Sequence, residues 1–78
     1  MKRYIVELTE GERAQLLELV KKGKASARKI ARAHILLSAD RGATDESIAD
    51  SLHLSIPTVH RTRKRFAEGR IEATLDSV

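Results

Sequence analysis

The chain has 78 residues, of which 41% are hydrophobic and 33% are charged, and it carries a formal net charge of +4. This balance predicts one small folded domain of modest stability and excludes a disordered chain. The absence of cysteine excludes disulfides, thiolate metal sites and thiol nucleophiles, and no apolar run is long enough to span a membrane.

The first predicted elements are an extended arm over residues 1–8 and a helix over about residues 10–22. Apolar residues alternate along the arm at Tyr4, Val6 and Leu8. Thr9 and Glu12 have the spacing of a capping box, and Gly23 is a typical residue at which a helix ends. The apolar stripe of this helix is predicted to consist of Leu16, Leu17 and Val20.

Two further helices are expected over residues 27–40 and 45–52. Ser26 is the predicted cap of the second helix, and its apolar arc is so wide that we expect a central helix with contacts on two sides. That arc comprises Ile30, Ala33, Ile35, Leu36 and Leu37. Thr44 is the predicted cap of the third helix, whose buried stripe is Ile48, Ala49 and Leu52.

A fourth helix is predicted to begin after Ser55, which acts as its cap, and to run to about Glu68. Pro57 falls in its first turn, where the missing N–H has no consequence, and Gly69 is the predicted stop. A final short helical turn is indicated by Ile71 and Leu75.

Residues 45–68 have the spacing of a helix-turn-helix. A short helix, a three-residue turn plugged by Leu54, and a capped second helix anchored by Val59 follow one another. Such a motif most often binds DNA, although it also occurs as a purely structural or protein-docking element.

Two stretches of the chain carry basic residues without acidic ones. Between Glu18 and Asp40 lie Lys21, Lys22, Lys24, Arg28, Lys29 and Arg32. Between Asp50 and Glu68 lie Arg61, Arg63, Lys64 and Arg65. Each block alone is typical of a solvated helix face, but two blocks in one small domain favour a surface for a polyanion.

In a DNA-binding motif of this kind, the N-terminal residues of the second helix reach base edges in the major groove. Helical periodicity leaves four candidates for base reading, namely Pro57, Thr58, His60 and Arg61. The planar fork of Arg61 matches the O6 and N7 acceptors of guanine. Arg63 has two interpretations that stay open: a stem packed on the core with its head in water, or a DNA contact.

A second group of residues is predicted to hold phosphates, which fixes the position of the domain without reading sequence. It consists of Thr44, Ser47, Ser55, Lys64, Arg65, Lys24, Arg28 and Lys29. The last three also fit an ordinary solvated face. Lys2 and Arg3 resemble a short arm for the minor groove, or they are a common basic terminus.

Other ligand classes have little support in the sequence. The three histidines, His34, His53 and His60, are not at paired metal-ligand spacing, so we expect no metal. No glycine-rich loop precedes a helix, so we expect neither a nucleotide cofactor nor another small-molecule ligand. Only Tyr4 and Phe66 are aromatic, which favours double-stranded DNA over single strands or RNA loops.

Two segments carry a resemblance to a known family. These are YIVELTEGERAQLLELVKKGKASARKIARAHILLSADRG and DESIADSLHLSIPTVHRTRKRFAEG. They resemble the N-terminal helix-turn-helix region of bacterial insertion-sequence transposases of the six-thirty type, relatives of the mariner superfamily. The resemblance covers nearly the whole chain and implies binding to the terminal inverted repeats of a mobile element. It places DNA contacts at Pro57, Thr58, His60, Arg61 and Lys64.

The resemblance also implies what this polypeptide lacks. In the family a separate C-terminal domain of RNase H-like fold uses three carboxylates and divalent metal to cut and join DNA, and no such domain is expected before Val78. One departure is His53, at a turn position where many relatives have glycine, so a positive φ there would bring strain.

The sequence therefore predicts an all-α, homeodomain-like helix-turn-helix bundle of four to five short helices, with an arm at residues 1–8 and a single domain at residues 9–78. The predicted function is sequence-specific binding of double-stranded DNA by a non-enzymatic transposase fragment, located in the cytoplasm at the nucleoid. The alternatives are a stand-alone regulator of transcription or transposition and a protein-docking module. Weak self-association stays open. A monomer would read one short site weakly, but no apolar heptad is present to build a dimer.

Overall fold

Capping residues divide the described part of the chain into four helices. The computed structural model describes residues 4–75, apart from the side chains of residues 72 and 73. Its helices are α1 (Glu10–Lys22), α2 (Ala27–Asp40), α3 (Asp45–Leu52) and α4 (Ile56–Leu75). Lys2, Arg3 and residues 76–78 lie outside the described residues. Within residues 4–75, no helix combines the length and the apolar character that a membrane crossing requires.

The predicted caps explain where the first three helices begin. The Thr9 hydroxyl accepts the Glu12 N–H at 3.1 Å, and the Glu12 carboxylate accepts the Thr9 N–H at 2.9 Å, which completes the capping box. Ser26 and Thr44 each accept the N–H of the residue three positions later. Gly23 ends α1 with φ 63°, a left-handed conformation that glycine adopts without a steric penalty.

The core is built around α2, which packs against α1, α3 and α4, as expected for a central helix. The largest fully buried apolar side chains of the core are Leu16, Ile35, Leu36, Ile48 and Val59. The prediction that Leu17 belongs to the buried stripe is wrong, because its side chain is 51% exposed. Neighbouring positions on a helix point about 100° apart, so α1 directs Leu16 inward and Leu17 toward solvent.

The segment before α1 is extended and packs on the helices. Val6 and Leu8 are buried, whereas Ile5 and Glu7 between them are exposed, which confirms the predicted alternation. The Leu8 N–H donates to Asp40 Oδ1 at 2.9 Å, and the Arg13 guanidinium donates to Asp40 Oδ2. The hydrogen bond from the Leu8 N–H lowers the pKa of the Asp40 carboxyl, and the hydrogen bond from Arg13 lowers it further. Asp40 thus ties the end of α2 to the start of the chain.

A break in α4 falls at Arg70, one residue beyond the predicted stop at Gly69. Arg70 has φ 57° and ψ −149°, and helical geometry resumes after it, so α4 consists of two helical pieces. The Arg70 guanidinium donates to Glu12 at 2.6 and 2.9 Å and to the Glu7 carbonyl at 3.1 Å. It also lies over the Phe66 ring, 4.7 Å from the centroid. These contacts place the break at Arg70 rather than at the more permissive glycine.

The second piece of α4 closes the core. Ile71, Thr74 and Leu75 are all buried. The burial of Ile71 and Leu75 agrees with the final helical turn predicted from these two residues. Hydrogen bonds from Arg70 lower the pKa of Glu12 from 4.5 to about 2. The second piece of α4, which follows the break at Arg70, therefore belongs to the core.

Candidate nucleic-acid interface

The turn between α3 and α4 has the geometry predicted for a helix-turn-helix. His53 ends α3 with φ 57° and ψ 43°, so the positive φ expected there is confirmed. The Leu54 N–H donates to the Ala49 carbonyl at 2.9 Å, and its side chain packs against the core as the plug of the turn. This bond fixes the path of the chain from one helix to the next.

Ser55 organises the start of α4. Its hydroxyl accepts the Thr58 N–H at 3.3 Å, and the two hydroxyl oxygens lie 2.7 Å apart. Pro57 lies between them in the first turn. The Ser55 cap confirms the local prediction, and its hydroxyl also contacts the Thr58 hydroxyl.

The middle of α4 has one buried face and one exposed face. Four residues face the core, namely Val59, Thr62, Arg63 and Phe66. Opposite them, at spacings of four, three and four residues along one side of the helix, lie the exposed Pro57, Arg61, Lys64 and Glu68. We call these four residues the central line of α4. No carboxylate among the described residues pairs with Arg61 or Lys64.

Thr58 and His60 lie on the flanks of this line. Thr58 is half-buried, and its carbonyl accepts the Thr62 hydroxyl at 3.0 Å. The His60 side chain is 48% exposed, with Nδ1 3.8 Å from Asp45 Oδ2 and its ring 5.3 Å from the Tyr4 ring. Of the four residues predicted to read bases, the structure places Pro57 and Arg61 on the central line and the other two beside it.

The residues predicted to hold phosphates fall into three patches. Thr44 and Ser47 are exposed at the start of α3, and Lys64 and Arg65 lie on α4 beyond the Ser55 cap. The third patch, near the start of α2, contains Lys24 and Arg28, both exposed, and the half-buried Lys29. The set is therefore distributed over the beginnings of α2 and α3 and over α4.

Comparison with known protein families matches a homeodomain-like domain to residues 26–75. The chain belongs to the homeodomain-like family. None of the curated proteins and none of the solved structures matches the sequence. The matched residues include α2, α3 and α4 with the turn between the last two, so the family assignment covers the helix-turn-helix and the helix that supports it.

Arg63 is the residue of this homeodomain-like domain whose role the sequence left open. Only 6% of it is exposed, and its terminal nitrogens donate to the Tyr4 carbonyl at 3.1 Å and the Ala43 carbonyl at 2.6 Å. Its Nε lies 2.5 Å from Asp45 Oδ1, although the N–H is not aligned for a hydrogen bond. Arg63 therefore contacts the N-terminal segment, the start of α3 and the core rather than solvent.

The position of Arg63 was visible in the sequence, but its partners were not. It follows Val59 by four residues and precedes Phe66 by three, which places it on the buried stripe. Two of its partners are backbone carbonyls, whose positions depend on how distant segments pack. The same holds for Arg70, for which no pattern in the sequence indicated a partner at Glu12.

Proposed function

We propose that this homeodomain-like domain binds double-stranded DNA sequence-specifically by inserting α4 into the major groove. The observation that carries the proposal is the central line of α4, where Arg61 and Lys64 face solvent and pair with no carboxylate in the part of the chain that the structure describes. A helix of this width fits the major groove of B-form DNA. The family assignment supports DNA binding in general, and the exposed cations of the central line are the reason for assigning that side of α4 to the bases.

The residues on and beside the central line have different chemistry to offer. Arg61 suits bidentate donation to guanine, and Pro57 suits contact with a thymine methyl group. Thr58 and His60 would read neighbouring base edges from the flanks. Phosphate contacts are assigned to Lys64 and to Ser55, Arg65, Thr44, Ser47, Lys24, Arg28 and Lys29.

Three positions in that set have suitable local geometry. Thr44 and Ser47 lie at the N-terminus of α3, where backbone N–H groups and the helix dipole favour an anion. Lys64 lies next to Arg61 on the groove side, so it can reach a strand backbone while Arg61 reaches a base. This division predicts different effects of substitution at Arg61 and Lys64.

We further propose that the DNA recognised is the terminal inverted repeat of a mobile element, and that the domain is the recognition region of a transposase. The support is the resemblance of residues 4–42 and 45–69 to transposases of the six-thirty type. In this role the domain works at the nucleoid and binds DNA without a cofactor. Cutting and joining would belong to a separate catalytic domain.

A pair of substitutions tests the groove assignment. Arg61→Ala should reduce discrimination at one base pair by about 1–3 kcal/mol, while Lys64→Ala should weaken binding to all sequences alike and lower the salt slope by about one. The measurement is selection of random duplexes, followed by titration of the selected and scrambled sequences at ~50 and ~200 mM salt. Equal effects of both substitutions would show that another side of α4 faces the bases.

The same titration separates the alternative functions. A selected motif that does not occur in inverted repeats would favour a stand-alone regulator. Failure to bind any duplex at low salt would overturn the DNA proposal and favour a protein-docking module. Binding through phosphate contacts weakens steeply as salt rises, whereas binding through an apolar docking surface does not.

A further inference from the structure

The imidazole of His60 has a neighbour on each of two sides, and both come from other parts of the chain. Its ring centroid lies 5.3 Å from that of Tyr4, and the two ring planes are tilted by 58°. Its Nδ1 lies 3.8 Å from Oδ2 of Asp45, the first residue of α3. The side chain is nevertheless 48% exposed, and no group in the described part of the chain forms a hydrogen bond with Nε2.

Both neighbours of His60 are themselves held by Arg63. The Nη1 of Arg63 donates to the Tyr4 carbonyl at 3.1 Å, and its Nε lies 2.5 Å from Asp45 Oδ1. Tyr4, Asp45, His60 and Arg63 therefore form a closed set of contacts that joins the N-terminal segment, the start of α3 and α4. We call these four residues the His60 cluster. Because Arg63 is buried, the cluster is anchored in the core at one end and open to solvent at His60.

The surroundings of His60 determine which of its nitrogens can accept a hydrogen bond. A neutral imidazole carries its proton on one nitrogen and has an acceptor at the other. A distance of 3.8 Å is too long for a hydrogen bond, but a carboxylate on the Nδ1 side still favours a proton on Nδ1 electrostatically. Packing against the Tyr4 ring limits rotation of the imidazole and keeps Nδ1 on the side of Asp45. Nε2 is then the acceptor.

We propose that Tyr4 and Asp45 are positioning residues that present Nε2 of His60 as an acceptor for an exocyclic amino group in the major groove. This inference rests on the proposed function and specifies the chemical group that His60 reads. In the major groove the amino donors are N6 of adenine and N4 of cytosine, so the base opposite His60 should be one of these two. The N-terminal segment thus affects base recognition through the orientation of His60.

The first experiment identifies the protonated nitrogen of His60 in the free protein. Long-range nitrogen–proton correlation NMR spectra in mildly alkaline buffer distinguish the two tautomers, and His60→Ala identifies which signals belong to His60. We expect the proton on Nδ1 in the wild type and in Tyr4→Phe, which keeps an aromatic ring. Tyr4→Leu removes the ring but keeps the carbonyl that Arg63 binds, and Asp45→Asn removes the charge, so each should weaken this preference. Circular dichroism checks that the variants are folded.

The second experiment measures affinity for the duplex that the wild type selects and for base analogues within it. The base pair read by His60 is the pair at which His60→Ala loses discrimination. An analogue of its adenine or cytosine that lacks the amino group should weaken wild-type and Tyr4→Phe binding by about 3–10-fold, the effect of one hydrogen bond. A purine without N7 in the same pair should not weaken it. Tyr4→Leu should lose most of the amino-group effect, and it should have no further effect when combined with His60→Ala.

The outcomes separate this inference from the proposed function. If the wild type binds a selected duplex but carries the proton on Nε2, or if Tyr4→Leu keeps the full amino-group effect, the positioning role is overturned and the proposed function stands. Equal losses from Tyr4→Leu with and without His60 would show that Tyr4 acts on the fold instead. If the wild type bound no duplex even with the proton on Nδ1, the proposed function would fail and the inference with it.

Discussion

Replacing Arg63 by methionine tests whether this arginine supports the domain or contacts DNA. Methionine keeps an unbranched stem in the core but removes the donors to the Tyr4 and Ala43 carbonyls and leaves Asp45 without its ion pair. Each hydrogen bond from a charged group contributes about 1.5–3 kcal/mol, and breaking one partner of a buried pair costs about 3–5 kcal/mol. We therefore expect a loss of roughly 3–5 kcal/mol in the free energy of unfolding.

This loss is large for a domain of this size. At ~0.05–0.15 kcal/mol per residue, the total stability of the domain is on the order of 4–12 kcal/mol. The assay is urea unfolding followed by far-ultraviolet circular dichroism, with Arg61→Met as a control on the exposed side of the same helix. The control should change stability by less than about 0.5 kcal/mol. The reasoning fails if Arg63→Met is as stable as the control yet no longer binds DNA.

Three further predictions concern the turn, the break in α4 and acid stability. His53→Gly should stabilise the domain by about 0.5–1 kcal/mol in the same urea assay, because glycine adopts φ 57° without strain; no gain would show that His53 is not strained. Arg70→Ala should have a lower thermal midpoint than Arg70→Gly, because both lose the Glu12 pair and only alanine keeps the unfavourable φ of 57°; equal midpoints would contradict this. The pKa of Glu12 is lowered, so the stability that Glu12 provides is complete above pH 4.5 and is lost as the pH falls towards about 2, which a series of acid unfolding curves measures. The pKa of Asp40 is lowered as well, so its contribution is complete above pH 3.8 and is also lost in acid. In that series Glu12→Gln should lose less stability with acid than the wild type.

Local signals predicted most of the fold. Caps and glycines act within three or four residues, so Thr9, Ser26 and Thr44 gave helix starts that the structure confirms. Helical periodicity also acts over three or four residues, and it predicted the buried face of α4. It could not decide which of the adjacent leucines of α1 faces the core, because that choice depends on where α2 lies.

The sequence could not predict the contacts that polar side chains make with distant parts of the chain. Arg63, Arg70 and Asp40 bind groups that are 59, 58 and 32 residues away along the chain. Their partners include backbone atoms, which carry no residue-specific signal. For the candidate site, spacing identified Arg61 and Lys64 on the exposed side of α4, whereas the contacts of His60 with Tyr4 and Asp45 depend on how distant segments pack against α4.

The role of Arg63 links the fold to the proposed recognition of DNA. Apolar contacts such as those of Val59 and Phe66 have little directionality, so by themselves they oppose a small rotation of α4 about its axis only weakly. A rotation of even roughly 20°, a fraction of the ~100° between neighbouring residues, would displace the guanidinium of Arg61 from a base edge. Directed bonds from Arg63 to the Ala43 and Tyr4 carbonyls oppose such a rotation. We therefore expect weakening of the Arg63 contacts to reduce discrimination between DNA sequences before it reduces affinity, because phosphate contacts tolerate a small rotation that a bidentate base contact does not.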